Sequence, residues 1–291
     1  MNNSQIQIYC DGGSKTGFGH ISRSKALSNY LSSKGLNSFI IGITKEANGL
    51  IGDDAYENKD AQIIVLDSHR NLDKLIIRER KKNKIIITLD WFGYEKPDYN
   101  IVIYPHTKPR STIKNFIGFK YIIIRDEIQL LKNTKKIKNK ALICVGGGDL
   151  LNQSQLAAEY LNQKGFDVTL VVGPIYKKLL ETKNYKVLIN PKNFAELLAS
   201  SSLVVTNGGG CMFESIFLNI PTCVLPQTEF EKNVSDLALK SNAILGSGIN
   251  FIKTLKIREI NFNYQQDLID GLGKYRIFKI IDNILKWMIN G

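Results

Sequence analysis

The chain has 291 residues, a formal net charge of +12 from Lys+Arg 39 against Asp+Glu 27, and 43% hydrophobic residues. This length allows two domains, each with a core of its own. No run of roughly eighteen apolar residues exists to span a membrane, and the start Met1-Asn2-Asn3-Ser4-Gln5 has neither the charged lead nor the apolar centre of a signal peptide, so a soluble cytoplasmic protein is expected.

The densest basic runs, residues 78–84 and 132–140, precede predicted strands and hold no interleaved aromatics of the kind that stack on bases. They read as solvated helix ends and linker, so no nucleic-acid partner is expected. A positive surface would still assist capture of a doubly charged nucleotide, or peripheral docking near acidic lipid headgroups or against partner enzymes. Cys10, Cys144, Cys211 and Cys223 are widely spaced and read as small buried apolar residues, not as a disulfide framework or zinc site.

A β-rich run at residues 6–10 opens the chain and leads directly into Asp11-Gly12-Gly13-Ser14-Lys15-Thr16-Gly17-Phe18-Gly19-His20-Ile21-Ser22-Arg23. A helix is expected over residues 19–34. Glycines at its start let a ligand approach backbone N–H groups that favour an anion, and the imidazole of His20 there can take a proton from water. Gly12 and Gly17 have P-loop spacing, but Phe18 and Gly19 follow where Lys and Ser or Thr are needed, so no Walker-type ATPase is implied. The dinucleotide fingerprint also fails, because no acidic residue closes the second strand near Phe39-Ile40-Ile41. The plainer alternative is a tight turn at Gly17 and Gly19, with His20 packing the helix start.

Further strands are expected at residues 38–41, 62–66, 84–89, 101–104 and 121–124, with a helix at 72–82, which makes the first half a doubly wound α/β domain. A basic linker near residues 130–139 separates residues 1–136 from a second α/β domain, residues 137–262. There the expected strands are 141–145, 167–172, 186–189, 203–206, 222–225 and 243–245, with helices near 150–163, 193–199, 211–219 and 230–240. Residues 263–291 form a helical segment whose apolar stripe packs on the domains. Two doubly wound, Rossmann-like parallel sheets facing a central cleft are the expected architecture, since open α/β sheets bind ligands at the carboxyl ends of their strands.

The second half carries its own glycine loop, Asn207-Gly208-Gly209-Gly210-Cys211, between a strand and a helix. Bare amides at a helix start suit a diphosphate, and Glu214, about one turn in, could accept both hydroxyls of a ribose. Its plain alternative is a first-turn carboxylate favoured by the helix dipole. Gly146-Gly147-Gly148-Asp149 ends the first strand of this half, where Gly148 and Asp149 offer phosphate or sugar contacts, or Asp149 a helix N-cap. Gln227 and Asn233 are further amides able to bond a sugar oxygen. On the first half, Asp11 and His69 are sugar-side candidates, and His69 and His106 could equally be exposed loop residues.

Taken together, Gly17-Phe18-Gly19-His20-Ile21 with Arg23, Gly146-Gly147-Gly148-Asp149, Asn207 through Glu214, Gln227 with Asn233, and Asp270-Gly271-Leu272-Gly273-Lys274-Tyr275-Arg276 resemble the PseG family. Its members are UDP-2,4-diacetamido-2,4,6-trideoxy-β-L-altropyranose hydrolases of pseudaminic acid biosynthesis, related in fold to GT-B glycosyltransferases of the MurG type. The resemblance implies a GT-B-like α/β fold and hydrolysis of a UDP-activated amino-deoxy sugar in a nonulosonic acid or surface-glycan pathway. His20 would be the base that activates water at the anomeric carbon. Gly17, Gly19, Gly208, Gly209, Gly210 and Cys211 would lie along the diphosphate, and Glu214 on the ribose. Neither metal nor cofactor is implied, UDP being product and ligand. The chain departs from the family at Tyr9, Asp90-Trp91 and Pro105-His106, on the side of the sugar and acceptor. A glycosyltransferase of the same architecture and a nucleotide-sugar binding subunit without chemistry are the alternative readings.

Overall fold

The computed structural model describes residues 5–13, 16–91, 93–102, 113–146, 149, 151–173, 184–256 and 268–290. The chain divides into two compact units, Met1–Arg125 with Gly271–Gly291, and Asp126–Asp270. The division falls just ahead of the expected basic linker. Of the C-terminal segment, Gly271–Gly291 groups with the first unit.

In the first unit the order is β1 Gln5–Cys10, α1 Gly19–Ser33, β2 Asn37–Gly42, α2 Lys45–Ile51, β3 Ile63–Asp67, α3 Asp73–Arg80, β4 Ile85–Leu89, β5 Tyr99–Val102 and β6 Lys114–Ile117. All neighbouring strands pair in parallel, in the order β2-β1-β3-β4-β5-β6. β3 is apolar from Ile63 to Leu66 because both faces of a parallel sheet are covered; Ile6, Ile8, Ile63, Ile64 and Val65 are fully buried, and buried Gln7 of β1 donates to the Phe39 and Tyr56 carbonyls. The strand order reverses between β1 and β3, whose carboxyl ends are Cys10 and Asp67. A ligand crevice forms at such a reversal.

The second unit begins with α4 Asp126–Leu130 and continues through β7 Lys140–Cys144, α5 Ser154–Gln163, β8 Asp167–Val172, β9 Lys186–Ile189, α6 Phe194–Ala199 and β10 Leu203–Thr206. It then adds α7 Gly210–Phe217, β11 Thr222–Val224, α8 Glu229–Lys240, β12 Gly246–Ser247 and α9 Ile249–Thr254. This sheet is also parallel, ordered β12-β11-β10-β7-β8-β9, and it reverses between β7 and β10. Its core gathers Ile143, Leu161, Val168, Leu170, Val205 and Leu225 from strands and α5. The final helix, α10 Gly273–Asn290, returns to the first unit with Ile277, Ile280, Ile281, Ile284 and Leu285 buried.

Two expected strands are corrected. Residues 121–124 are apolar and buried but pair with no strand; a 3-10 turn, Phe119–Tyr121, leads into them, and the sixth strand is instead Lys114–Ile117. Their cover is the start of α10, since a Cβ on Gly273 would lie 2.9 Å from the backbone carbon of Tyr121 and closer still to the Ile122 carbonyl. Burial by a helix mimicked burial in a sheet. The last strand is Gly246–Ser247 and not residues 243–245, because Gly246 pairs with Cys223 while Ala243 and Ile244 turn inward from the end of α8.

Candidate functional site

In the first unit, the loop after β1 closes on itself. Gly17 N–H donates to the Gly13 carbonyl at 2.7 Å and Gly13 N–H returns the bond to Gly17 at 3.1 Å, with Gly17 at φ +71, a conformation that favours glycine. α1 then opens at exposed Gly19, with no acidic residue in its first turn. The positive dipole end of this helix meets no acidic side chain from its own first turn.

His20, one residue in, is only 7% exposed. Its Nδ1 lies 2.6 Å from Oδ1 of Asp67, the last residue of β3, which is fully buried. Arg23 lies one turn along α1 and presents Nε at 2.9 Å from both Asp67 oxygens, while its Nη2 also reaches Oδ1. Ser24 Oγ donates to Oδ2 at 2.8 Å. Arg23 Nη2 also stands 3.2 Å from His20 Nδ1, and the shorter carboxylate contact decides the tautomer: Nδ1–H donates to Asp67, leaving the lone pair on Nε2. Burial would raise the Asp67 pKa, but the Arg23 guanidinium and His20, which donate to the carboxylate, hold it well below the usual carboxylate range. Asp90, at φ +59 just past β4, sits 3.6 Å from Arg23 Nη2. The His69 ring meets His20 edge to face, with centroids 4.6 Å apart.

Asp11 is fully buried and accepts from Gly12 N–H at 2.8 Å, Ser68 Oγ at 3.2 Å and Arg70 Nε at 2.6 Å. It ties the loops after β1 and β3 together. The structure therefore brings His20, His69 and Asp11 to the carboxyl ends of β1 and β3, and adds Asp67, Arg23 and Asp90, which were not among the expected site residues. Asp67 lacks any local signal: it is an ordinary strand-end aspartate, 47 positions from the histidine it holds. His106 and Gly148 lie outside the described residues.

In the second unit, β10 ends at Thr206 and Asn207 begins the glycine turn. Gly209 precedes α7 with extended backbone, and Gly210 and Cys211 form the first turn, where helix geometry supplies no acceptor for the amides. A Cβ on Gly208 would lie 2.8 Å from Ser235 Oγ and 2.9 Å from Glu231 Cβ, so α8 packs against the turn itself. Cys211 is half-buried, and contact with Cys144 at the end of β7, with burial, pushes its thiol up. All four cysteines are free. Glu214 is 7% exposed, one turn into α7.

Among the remaining second-unit candidates, Asp149 and Gln227 have structural partners. Asp149 accepts from Gln153 N–H at 2.9 Å, Ser154 N–H at 2.8 Å and Ser154 Oγ at 2.6 Å, which caps the start of α5. Gln227 accepts from Leu151 N–H at 3.2 Å and donates to the Leu225 carbonyl at 3.0 Å, so its amide braces two loops. Asn233 is exposed on α8. Past the ends of β11 and β12 lies a cavity of about 690 Å³ lined by residues that include Leu151, Gln227, Lys232, Asp236, Leu245 and Phe251. That volume is within the range of small-molecule sites.

No family model matches the chain. An uncharacterized protein of Methanocaldococcus jannaschii, MJ1062, is 29% identical over 96% of this chain and 66% of its own length, so the chain spans slightly under two thirds of that relative. The spore coat polysaccharide biosynthesis protein SpsG of Bacillus subtilis is 20% identical over 96% of this chain and 98% of its own. Among solved structures, the glycotransferase of kitacinnamycin matches with a TM-score of 0.68 at 12% identity, over 97% of this chain and 99% of that one. MurG of Acinetobacter baumannii matches at 0.62 with 10% identity, over 96% and 99%. MnaA of S. aureus, solved with UDP, matches at 0.62 with 13% identity, over 97% of each chain. The chain has the GT-B glycosyltransferase fold, of which MurG is an example. No helix among the described residues is long and apolar enough to cross a membrane.

Proposed function

We propose that the chain is a GT-B-type glycosyltransferase that takes a nucleotide-sugar donor and serves glycan biosynthesis. The observation that carries the reading is the His20–Asp67 pair at the reversal point of the first sheet. A carboxylate fixed on Nδ1 gives Nε2 the lone pair of a general base and stabilises the imidazolium that forms when it takes a proton. In the step we propose, Nε2 removes the proton of an acceptor hydroxyl as its oxygen bonds the anomeric carbon. The bond from that carbon to the diphosphate breaks, with inversion. Within the second unit, the amides of Gly210 and Cys211 suit a nucleotide diphosphate, and Glu214 suits hydroxyls of its ribose. UDP in the MnaA structure and the polysaccharide pathway in the name of SpsG support the substrate class.

Hydrolysis of a UDP-activated amino-deoxy sugar, as in pseudaminic acid synthesis, is the second reading. The Gly17-Phe18-Gly19-His20 motif favours it, with water in place of the acceptor.

The test is UDP release from a panel of UDP-sugars, without and with hydroxyl acceptors. Turnover that starts only on adding an acceptor supports the transferase, and release in water alone supports the hydrolase. An intact UDP-sugar held indefinitely in calorimetry would mean binding without chemistry. His20→Ala should keep UDP binding and lower turnover by roughly 10²- to 10⁴-fold. Full turnover in that variant would move the base elsewhere. Glu214→Ala should weaken UDP by roughly ten- to a hundredfold, the loss of a hydrogen bond to a charged group. An unchanged Kd would remove Glu214 from the ribose.

A further inference from the structure

Thr228 and Glu231 open α8 as a capping pair, with Thr228 Oγ1 accepting from Glu231 N–H at 3.2 Å. In a capping box the glutamate would reach back to the amide of the capping threonine. Glu231 does something else: one oxygen accepts from Gln227 N–H at 2.7 Å and the other from Asn207 Nδ2 at 2.6 Å, and the backbone of Gly208 donates to the same carboxylate. The glycine at 208 is what permits this approach, since a side chain there would collide with the carbonyl and Cβ of Glu231.

We propose that Glu231 is a positioning residue for the anion-binding turn: its carboxylate fixes Asn207 and Gly208 from behind and thereby sets where the amides of Gly210 and Cys211 stand. The inference rests on the reading that this turn receives a nucleotide diphosphate. Three donors on one carboxylate leave the turn little freedom, so the ligand meets amides already ordered, without a further entropic cost of ordering them.

The arrangement has an electrostatic consequence. Burial raises the Glu231 pKa, against the three donors that lower it, and an arriving diphosphate raises it further. Protonation removes the repulsion between carboxylate and diphosphate while the carbonyl oxygen still accepts from the turn, so protonated Glu231 favours the ligand. Affinity is greatest below the free-state pKa, falls as pH rises through the bound-state pKa, and is level above it. The other ionisable groups around the turn are Cys211 and Glu214 on α7, Cys144 at the end of β7, and Glu229, Lys232 and Asp236 on α8.

The experiment uses UDP-glucose, whose diphosphate does not itself titrate near neutrality, with calorimetry from pH 5 to 8 on the full chain, Glu231→Gln and Glu231→Ala. The wild type should bind at least threefold more tightly at pH 5 than at pH 8. Glu231→Gln should flatten that profile, and Glu231→Ala should bind at least tenfold more weakly at pH 8. Amide hydrogen exchange read without ligand should show Gly208 and Gln227 protected in the wild type and exposed in Glu231→Ala. Unchanged protection of these amides in the alanine variant overturns the positioning role whether or not UDP-glucose binds. An alanine variant within twofold of the wild type, or a glutamine variant with the wild-type pH slope, overturns the link to the ligand. If the wild type fails to bind UDP-glucose while its Gly208 amide is protected, the nucleotide reading falls and the local role of Glu231 stands.

Discussion

Asp67 is the residue on which the first-unit site turns, because it neutralises Arg23, orients His20 and accepts from Ser24 with no exposure to water. Asp67→Asn preserves the shape and removes the charge, leaving the buried guanidinium to the more distant Asp90 carboxylate at 3.6 Å. The expected cost at pH 7 is about 3–5 kcal/mol, read by urea unfolding. Since the folded-state pKa of Asp67 is lowered, its contribution is complete above the unfolded carboxylate value of about 3.9 and disappears as pH falls toward the folded value. The gap between wild type and variant should thus be level from pH 5 to 8 and shrink in acid. A gap that widened in acid would contradict the assignment. His20 was legible because glycines and a helix start flank it in sequence, whereas Asp67 and Glu231 were not. Each becomes part of a site only when a strand end or helix start from elsewhere arrives beside it. Conversely Asp149 and Gln227 have polar chemistry in suggestive places, yet their hydrogen bonds go to α5 and to neighbouring loops.

Elements show the same division. The runs at residues 63–66 and 203–206 are strands because apolar stretches rich in β-branched residues suit a sheet buried on both faces. The run at residues 121–124 has the same composition and a different fate, decided by the start of α10 pressed against it. The motif Asp270 through Arg276 serves that joint: Gly273 meets the backbone of Tyr121 and Ile122, and Arg276 Nη1 donates to the Lys120 carbonyl at 2.8 Å. Gly273→Ala tests it. In an open helix the change would stabilise by about 1 kcal/mol, but here the methyl meets backbone that cannot swing aside. A net loss of about 1–3 kcal/mol in denaturant unfolding is expected, and a gain would show the contact to be loose.

At the scale of the whole molecule, two parallel sheets of six strands are built with different strand orders, and each sets its candidate residues at its own reversal point. The first unit is discontinuous, since α10 completes it from the far end of the chain. Ile277, Ile280, Ile281, Ile284 and Leu285 each contribute roughly 1.5–3 kcal/mol by burial, a sum comparable with the whole stability of a domain. A chain ending at Asp270 should therefore lose cooperative unfolding of the first unit, while residues 126–270 alone should unfold in one cooperative transition, both followed by circular dichroism in urea. Cooperative unfolding of both units in the truncated chain would show α10 to be dispensable.

Apolar runs, helical periodicity and glycine turns are properties of near neighbours, so the alternation of strand and helix, the doubly wound class and the positions of both glycine loops were determined by the sequence alone. Strand order, the return of α10 and the company kept by each buried carboxylate were decided by the tertiary structure. Those depend on which distant segments close upon one another, and the energy of a buried charge is set by the partners it meets there, wherever in the chain they come from.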